Sequence, residues 1–119
     1  DIIWKGKRVK AKDATYVQKG KKISVILDTL LCENCYKIAK DSDVLISEAM
    51  YLDKLRDKAL EYKHLTAKQA GAIAKKANVK KLVLTHFSQR YKDTKEIEKE
   101  VKKYFKNTIA AKDFTRLEV

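Results

Sequence analysis

Four residues in this chain could carry chemistry together: Asp28, Glu48, His64 and His86. Three of them stand where an apolar run ends. Ile23-Ser24-Val25-Ile26-Leu27 ends at Asp28, Val44-Leu45-Ile46 ends on Ser47-Glu48-Ala49, and Leu82-Val83-Leu84 leads through Thr85 to His86. His64 lies between two helical patterns, just before Thr66. A group at the end of a buried strand is held rigidly at the edge of the fold, the placement that metal ligands and catalytic groups need. Asp, Glu and His in one place suit zinc or a similar borderline metal. An Asp can bridge two metals through its two oxygens, and a two-metal site activates water and stabilises the leaving oxygen of a phosphodiester. Each residue also has a plainer explanation. Asp28 could cap the next segment, although Thr29 could do that instead. Glu48 could be a satisfied structural carboxylate, His64 a solvated loop histidine, and His86 a core histidine bonded to backbone.

The elements that must position these residues alternate along the chain. A turn signal, Lys19-Gly20-Lys21-Lys22, precedes the first buried strand at Ile23 to Leu27. Glu33 to Lys40 has helical spacing, with Tyr36 and Ala39 inward. Val44 to Ile46 is the second strand. Leu52, Leu55, Ala59 and Leu60 mark an amphipathic helix. Thr66-Ala67-Lys68-Gln69 reads as a capping box. It opens a helix whose Ala67, Ala70, Ile73, Ala74 and Ala77 form a small-residue face suited to close packing on a sheet. Leu82 to Leu84 is the third strand. Asp93-Thr94-Lys95-Glu96 reads as another cap, opening a helix with Ile97, Val101, Tyr104 and Phe105. Thr108 to Ala111 and Phe114 to Val119 read as weaker strands, and Lys5 to Lys10 as a polar strand or turn. Buried strands alternating with amphipathic helices give an α/β architecture with helices on at least one sheet face. In such sheets sites gather beyond the carboxyl ends of the strands, where Asp28, Glu48 and His86 all fall.

The chain has 119 residues, enough for one core, so 1–119 is read as a single domain or half-domain. A mean hydropathy of -0.51, with no long uncharged apolar stretch, argues against a membrane span. Asp1-Ile2-Ile3-Trp4 lacks the charged segment and apolar stretch of an export signal. A start without methionine fits a chain that begins inside a longer protein. Net charge is +12, from 28 Lys and Arg against 16 Asp and Glu. The excess points to a polyanionic partner such as RNA or DNA. A Lys/Glu-rich thermophilic surface would explain the 37% charged residues but not the imbalance. Cys32 and Cys35 read as half of a zinc site, as a redox pair, or as two small, partly buried residues in a helix's first turn. A structural zinc usually needs four ligands and no second pair exists, which favours the last reading. A reducing cytoplasm fits best.

Around the candidate residues the chain resembles ribonuclease Z, the tRNA 3′-processing endonuclease of the metallo-β-lactamase superfamily. The resemblance runs from about Lys19 to the C-terminus. Leu27-Asp28-Thr29 is similar to the family's Gly-Asp-Thr, and Ser47-Glu48-Ala49-Met50 to its His-Glu-Ala-Thr. His64-Leu65-Thr66 resembles its His-Ser-Thr, and Leu84-Thr85-His86-Phe87-Ser88-Gln89-Arg90-Tyr91 is nearly the family pattern. The resemblance implies a fold: the C-terminal half of an αββα sandwich, with strands alternating with helices packed on one face. It implies that Asp28 bridges two zinc ions of a complete site and that His86 ligates one. It makes His64 the proton donor to the leaving 3′ oxygen, with Glu48 orienting it. Ser88, Arg90 and Tyr91 would line the substrate side. Three departures stand out: Leu27 replaces Gly, Ser47 replaces His, and Leu65 replaces Ser.

The family's His-x-His-x-Asp-His motif is absent, and the resemblance therefore implies that the chain alone is inactive. Its implied partners are precursor tRNA, an N-terminal half on another chain or removed, and a second copy in a homodimer of the complete enzyme. The implied reaction is hydrolytic removal of the 3′ trailer of precursor tRNA in the cytoplasm. The alternatives are another phosphodiesterase or hydrolase of the same superfamily, or a non-catalytic RNA-binding module. A half-sandwich should also expose the sheet face and edge that normally meet the other half, and cover them by pairing.

Overall fold

The computed structural model describes all residues, Asp1 to Val119. Its sheet has four strands: β3 (Ile23–Ile26), β4 (Val44–Glu48), β5 (Lys81–Thr85) and β6 (Thr108–Ala110). They lie in the order β3-β4-β5-β6 and every neighbouring pair is parallel. Parallel neighbours need crossover connections, and helices α2 (Glu33–Ala39), α3 (Arg56–Tyr62), α4 (Ala67–Lys76) and α5 (Lys95–Lys102) lie in them. A separate hairpin, β1 (Ile2–Trp4) and β2 (Lys7–Val9), precedes a single turn, α1 (Ala11–Ala14). Lys5 and Gly6, both at positive φ, make its two-residue turn.

Alternation along each strand decides what is buried. Ile26, Leu45, Leu82 and Leu84 share one core with Ala39, Ala70, Ile73, Ala74, Ile97 and Val101 of the helices. All five small-face residues expected between Ala67 and Ala77 are buried. Gly71 belongs to the same face. A Cβ there would stand 3.0 Å from Tyr104 Cβ and 3.2 Å from the Val101 carbonyl, so its bare backbone sets how closely α5 packs on α4. The capping box forms as expected: Gln69 N–H donates to Thr66 Oγ1, and Thr66 N–H donates to Gln69 Oε1. On the opposite face Ile23, Val25 and Leu27 of the edge strand region stay exposed. No helix is long and apolar enough to cross a membrane.

Four local expectations differ from the structure. Phe114 to Val119 forms no strand, and Phe114 is almost fully exposed at positive φ. Leu52 does not open a helix: its backbone is extended, and its N–H is taken by the Tyr91 hydroxyl. A 3₁₀ turn, Asp53–Leu55, comes first, and α3 then turns Leu60 to solvent. Before α5 the Thr94 side chain makes no cap; Asp93 Oδ1 accepts the Lys95 N–H at 2.9 Å.

The end of the sheet away from the candidate residues is pinned by Asp43. Its carboxylate accepts the Lys22 N–H at 2.8 Å and meets Lys80 Nζ at 3.0 Å. The Lys22 N–H first, and then Lys80, hold the carboxyl down to about 2. An unfolded Asp titrates near ~3.9. With the folded value the lower one, the stabilisation is complete above the unfolded value and is lost as pH falls from about 4 towards 2. Asp43→Asn should melt at lower temperature than the parent at neutral pH. The difference should vanish through that acid range, as thermal melts at a series of pH values would show.

Candidate active site

Because β3, β4 and β5 are parallel and in register, their carboxyl ends lie side by side. Two residues past β3 the backbone turns at Asp28, φ 50°, and one residue past β5 it turns at His86, φ 53°. The left-handed conformation costs a non-glycine residue about 1–2 kcal/mol. Such residues persist where their surroundings over-determine them, and they cluster at functional sites. Here the surroundings include one side chain. Asp28 N–H and Thr29 N–H donate to the Glu48 carboxylate at 3.1 and 3.4 Å. His64 follows Lys63, the left-handed C-cap of α3.

Glu48 is fully buried, and five donors converge on it. Its Oε2 faces Nδ1 of His64 and Nδ1 of His86, each at 3.0 Å, besides the Asp28 N–H. Its Oε1 accepts the Leu65 N–H at 2.8 Å and the Thr29 N–H. A carboxylate accepts and does not donate, so each facing Nδ1 carries the proton and each Nε2 keeps its lone pair when the ring is neutral. The two rings stand edge to face, 5.5 Å between centroids. Asp28 Oδ1 lies 3.7 Å from His64 Nδ1 and 3.5 Å from His86 Nδ1, on a side chain that is 70% exposed. One ligand atom from each of Asp28, Glu48, His64 and His86 falls within 4.8 Å of the others. The sequence singled out all four; that Glu48 also braces His86 and the Asp28 loop had no signal in it.

The donor set fits a borderline divalent metal such as zinc. Glu48 is saturated by its five donors, which leaves Asp28, His86 and His64 to face an ion. Three groups are fewer than two tetrahedral ions need.

Ser88, Arg90 and Tyr91 form the turn after His86. Ser88 N–H donates to the Met50 carbonyl at 3.1 Å, and Tyr91 N–H to the Ser88 carbonyl at 3.2 Å. The Arg90 guanidinium lies 5.6 Å from the centre of the Tyr51 ring, whose centroid is 6.3 Å from that of His64. Tyr51, which sequence reasoning passed over, thus links the Arg90 turn to His64. Arg90 and Tyr91 also line a cavity of about 270 Å³ with Lys92, Asp93 and Glu96.

No protein-family model matches the chain. Individual proteins do. Ribonuclease Z of Protochlamydia amoebophila (strain UWE25) is 44% identical over 108 residues, 91% of this chain and 35% of that protein. Ribonuclease Z of Archaeoglobus fulgidus is 43% identical over 121 residues, 99% of this chain and 39% of that protein. This chain matches the C-terminal part of ribonuclease Z. It spans between 35% and 39% of the length of these two ribonuclease Z relatives. The structure agrees. Human tRNase Z, short form, superposes with a TM-score of 0.62 at 35% identity, over 81% of this chain and 32% of that one. The metallo-β-lactamase fold protein YhfI from Bacillus subtilis gives 0.64 at 27% identity, over 71% and 34%. The ribonuclease Z likeness thus extends from sequence to fold.

Proposed function

We propose that this chain is the C-terminal, half-domain part of a zinc-dependent ribonuclease Z that removes the 3′ trailer of precursor tRNA. The observation that carries the reading is the convergence of Asp28, His64 and His86 on the buried Glu48. Zinc, when bound, supplies the positive charge that activates water and offsets charge on the leaving oxygen. Asp28 and His86 are the residues of this chain that would hold it. Glu48 fixes the His64 ring through Nδ1, and in the protonated imidazolium it is the Nε2 proton that passes to the departing 3′ oxygen, leaving the neutral Nδ1–H ring. Arg90, exposed beside Tyr51, provides a phosphate contact, with Ser88 and Tyr91 shaping the turn that presents it. The net charge of +12 suits a polyanionic substrate. The remaining ligands come from an N-terminal part, on another chain or removed, and the complete enzyme is a cytoplasmic homodimer. Without that part the chain is inactive.

The test is precursor-tRNA cleavage by this chain mixed with the N-terminal part of a ribonuclease Z, with and without a zinc chelator. Trailer release that leaves a 3′-hydroxyl and stops on chelation is expected. Salt-sensitive RNA binding with no cleavage would leave a non-catalytic module, and cleavage of a chromogenic phosphodiester but not of tRNA would leave a different hydrolase.

A further inference from the structure

Cys32 and Cys35 stand outside the site just described. They are not among the side chains clustered around Glu48, and no other group joins them in a metal-ligand cluster. They are free thiols, one exposed and one buried. Their sulfurs lie 3.7 Å apart, already in contact. A cavity of about 180 Å³, lined by Val25, Leu27, Thr29 and Ile38, opens on both of them.

We propose that Cys32 and Cys35 are a reversible thiol–disulfide site, Cys32 the attacking thiol and Cys35 the resolving one. The oxidant is a low-molecular-weight disulfide such as glutathione disulfide. The Cys32 thiolate attacks one sulfur of that disulfide; a Cys32–glutathione bond forms, and one glutathione leaves as thiolate and takes up a proton. Cys35 then gives up its proton, and its sulfur attacks the Cys32 sulfur. The Cys32–Cys35 bond forms, and the second glutathione leaves and is protonated. Two protein thiols lose two electrons, and the glutathione disulfide gains them as two thiols.

The environments divide the roles. Hydrogen bonds from the Cys35 N–H and thiol hold the exposed Cys32 thiol below its ordinary value, which raises its thiolate fraction. Burial pushes the Cys35 thiol up, so it stays protonated until a neighbouring mixed disulfide engages it. Cys32 is exposed and meets the incoming disulfide first, while Cys35, 3% exposed, lies 3.7 Å behind it, within reach of the Cys32 sulfur. Cys35 also donates to the Leu30 carbonyl at 3.8 Å, which places the pair against the loop that starts at Asp28. Closing the bridge removes that thiol proton and ties residues 32 and 35 together at the end of the loop.

The experiment incubates the protein in glutathione buffers of increasing disulfide fraction, quenches in acid, alkylates the remaining thiols and weighs the products by denaturing mass spectrometry. The expected result is that both thiols disappear together with the loss of two hydrogens and no added glutathione. Cys35→Ser should accumulate glutathione on Cys32, and Cys32→Ser should leave Cys35 free. Circular dichroism checks that each variant is folded. Should Cys35→Ser not fold, Cys35→Ala takes its place, and the wild-type mass is decisive by itself. A wild-type protein that accumulates glutathione on Cys32, joins to a second copy, or keeps both thiols at every ratio would overturn the proposal.

Discussion

Replacing Glu48 with glutamine should lower metal affinity by about 10–100-fold, the usual effect of losing a carboxylate that orients a metal-ligating histidine. The reason lies in Oε2, which faces three donors: Nδ1 of His64, Nδ1 of His86 and the N–H of Asp28. An amide nitrogen in that place meets donors with a donor. The rings would flip or change tautomer, and the turn at Asp28 would lose one of two bonds that hold its left-handed backbone. The opposite amide orientation moves the conflict to Oε1, where the buried Leu65 N–H and the Thr29 N–H donate. Either way a donor goes unpaired at about 1–3 kcal/mol, so the variant should also melt at lower temperature. Competition against a chromogenic chelator measures the affinity. Unchanged affinity in a folded Glu48→Gln protein would mean that packing alone holds the rings.

A loss of about 10²–10⁴-fold in kcat is expected for His64→Ala in the assembled enzyme acting on precursor tRNA, with KM little changed. The proposed task of His64 is to protonate a poor leaving group, the 3′ oxygen of a ribose. A p-nitrophenyl phosphodiester leaves as a stable anion and needs no proton, so on that substrate the same variant should lose far less. The split between substrates is the informative readout. Equal loss on both would assign His64 to holding metal and not to proton transfer, and His86→Ala, which removes a proposed ligand, provides that reference behaviour.

Much of the fold was legible because the signals are local. Ile23 to Leu27, Val44 to Ile46 and Leu82 to Leu84 are short apolar runs bounded by polar residues, and each became a strand. The small-residue face between Ala67 and Ala77 and the Thr66–Gln69 box are patterns within one helix, and both formed. The failures share a cause. Leu52 looked like a helix opener, but the Tyr91 hydroxyl, 39 positions away, takes its N–H. Leu60 fits the apolar spacing, but α3 begins only at Arg56, after a 3₁₀ turn, and Leu60 faces solvent. The apolar letters from Phe114 to Val119 suggested a strand, but no neighbouring strand pairs with them.

The sequence by itself determined which residues could do chemistry and that three of them stand at or just past strand ends, because strand periodicity and side-chain type are written locally. It carried the ribonuclease Z resemblance in the same way. Only the tertiary structure decided that the strands are parallel neighbours with their carboxyl ends level, so that Asp28, Glu48 and His86 meet. Only it decided that one buried carboxylate serves both histidines and the backbone of Asp28. Those bonds join positions 16, 20 and 38 residues apart, and at such separations partner and geometry are set by how the sheet assembles.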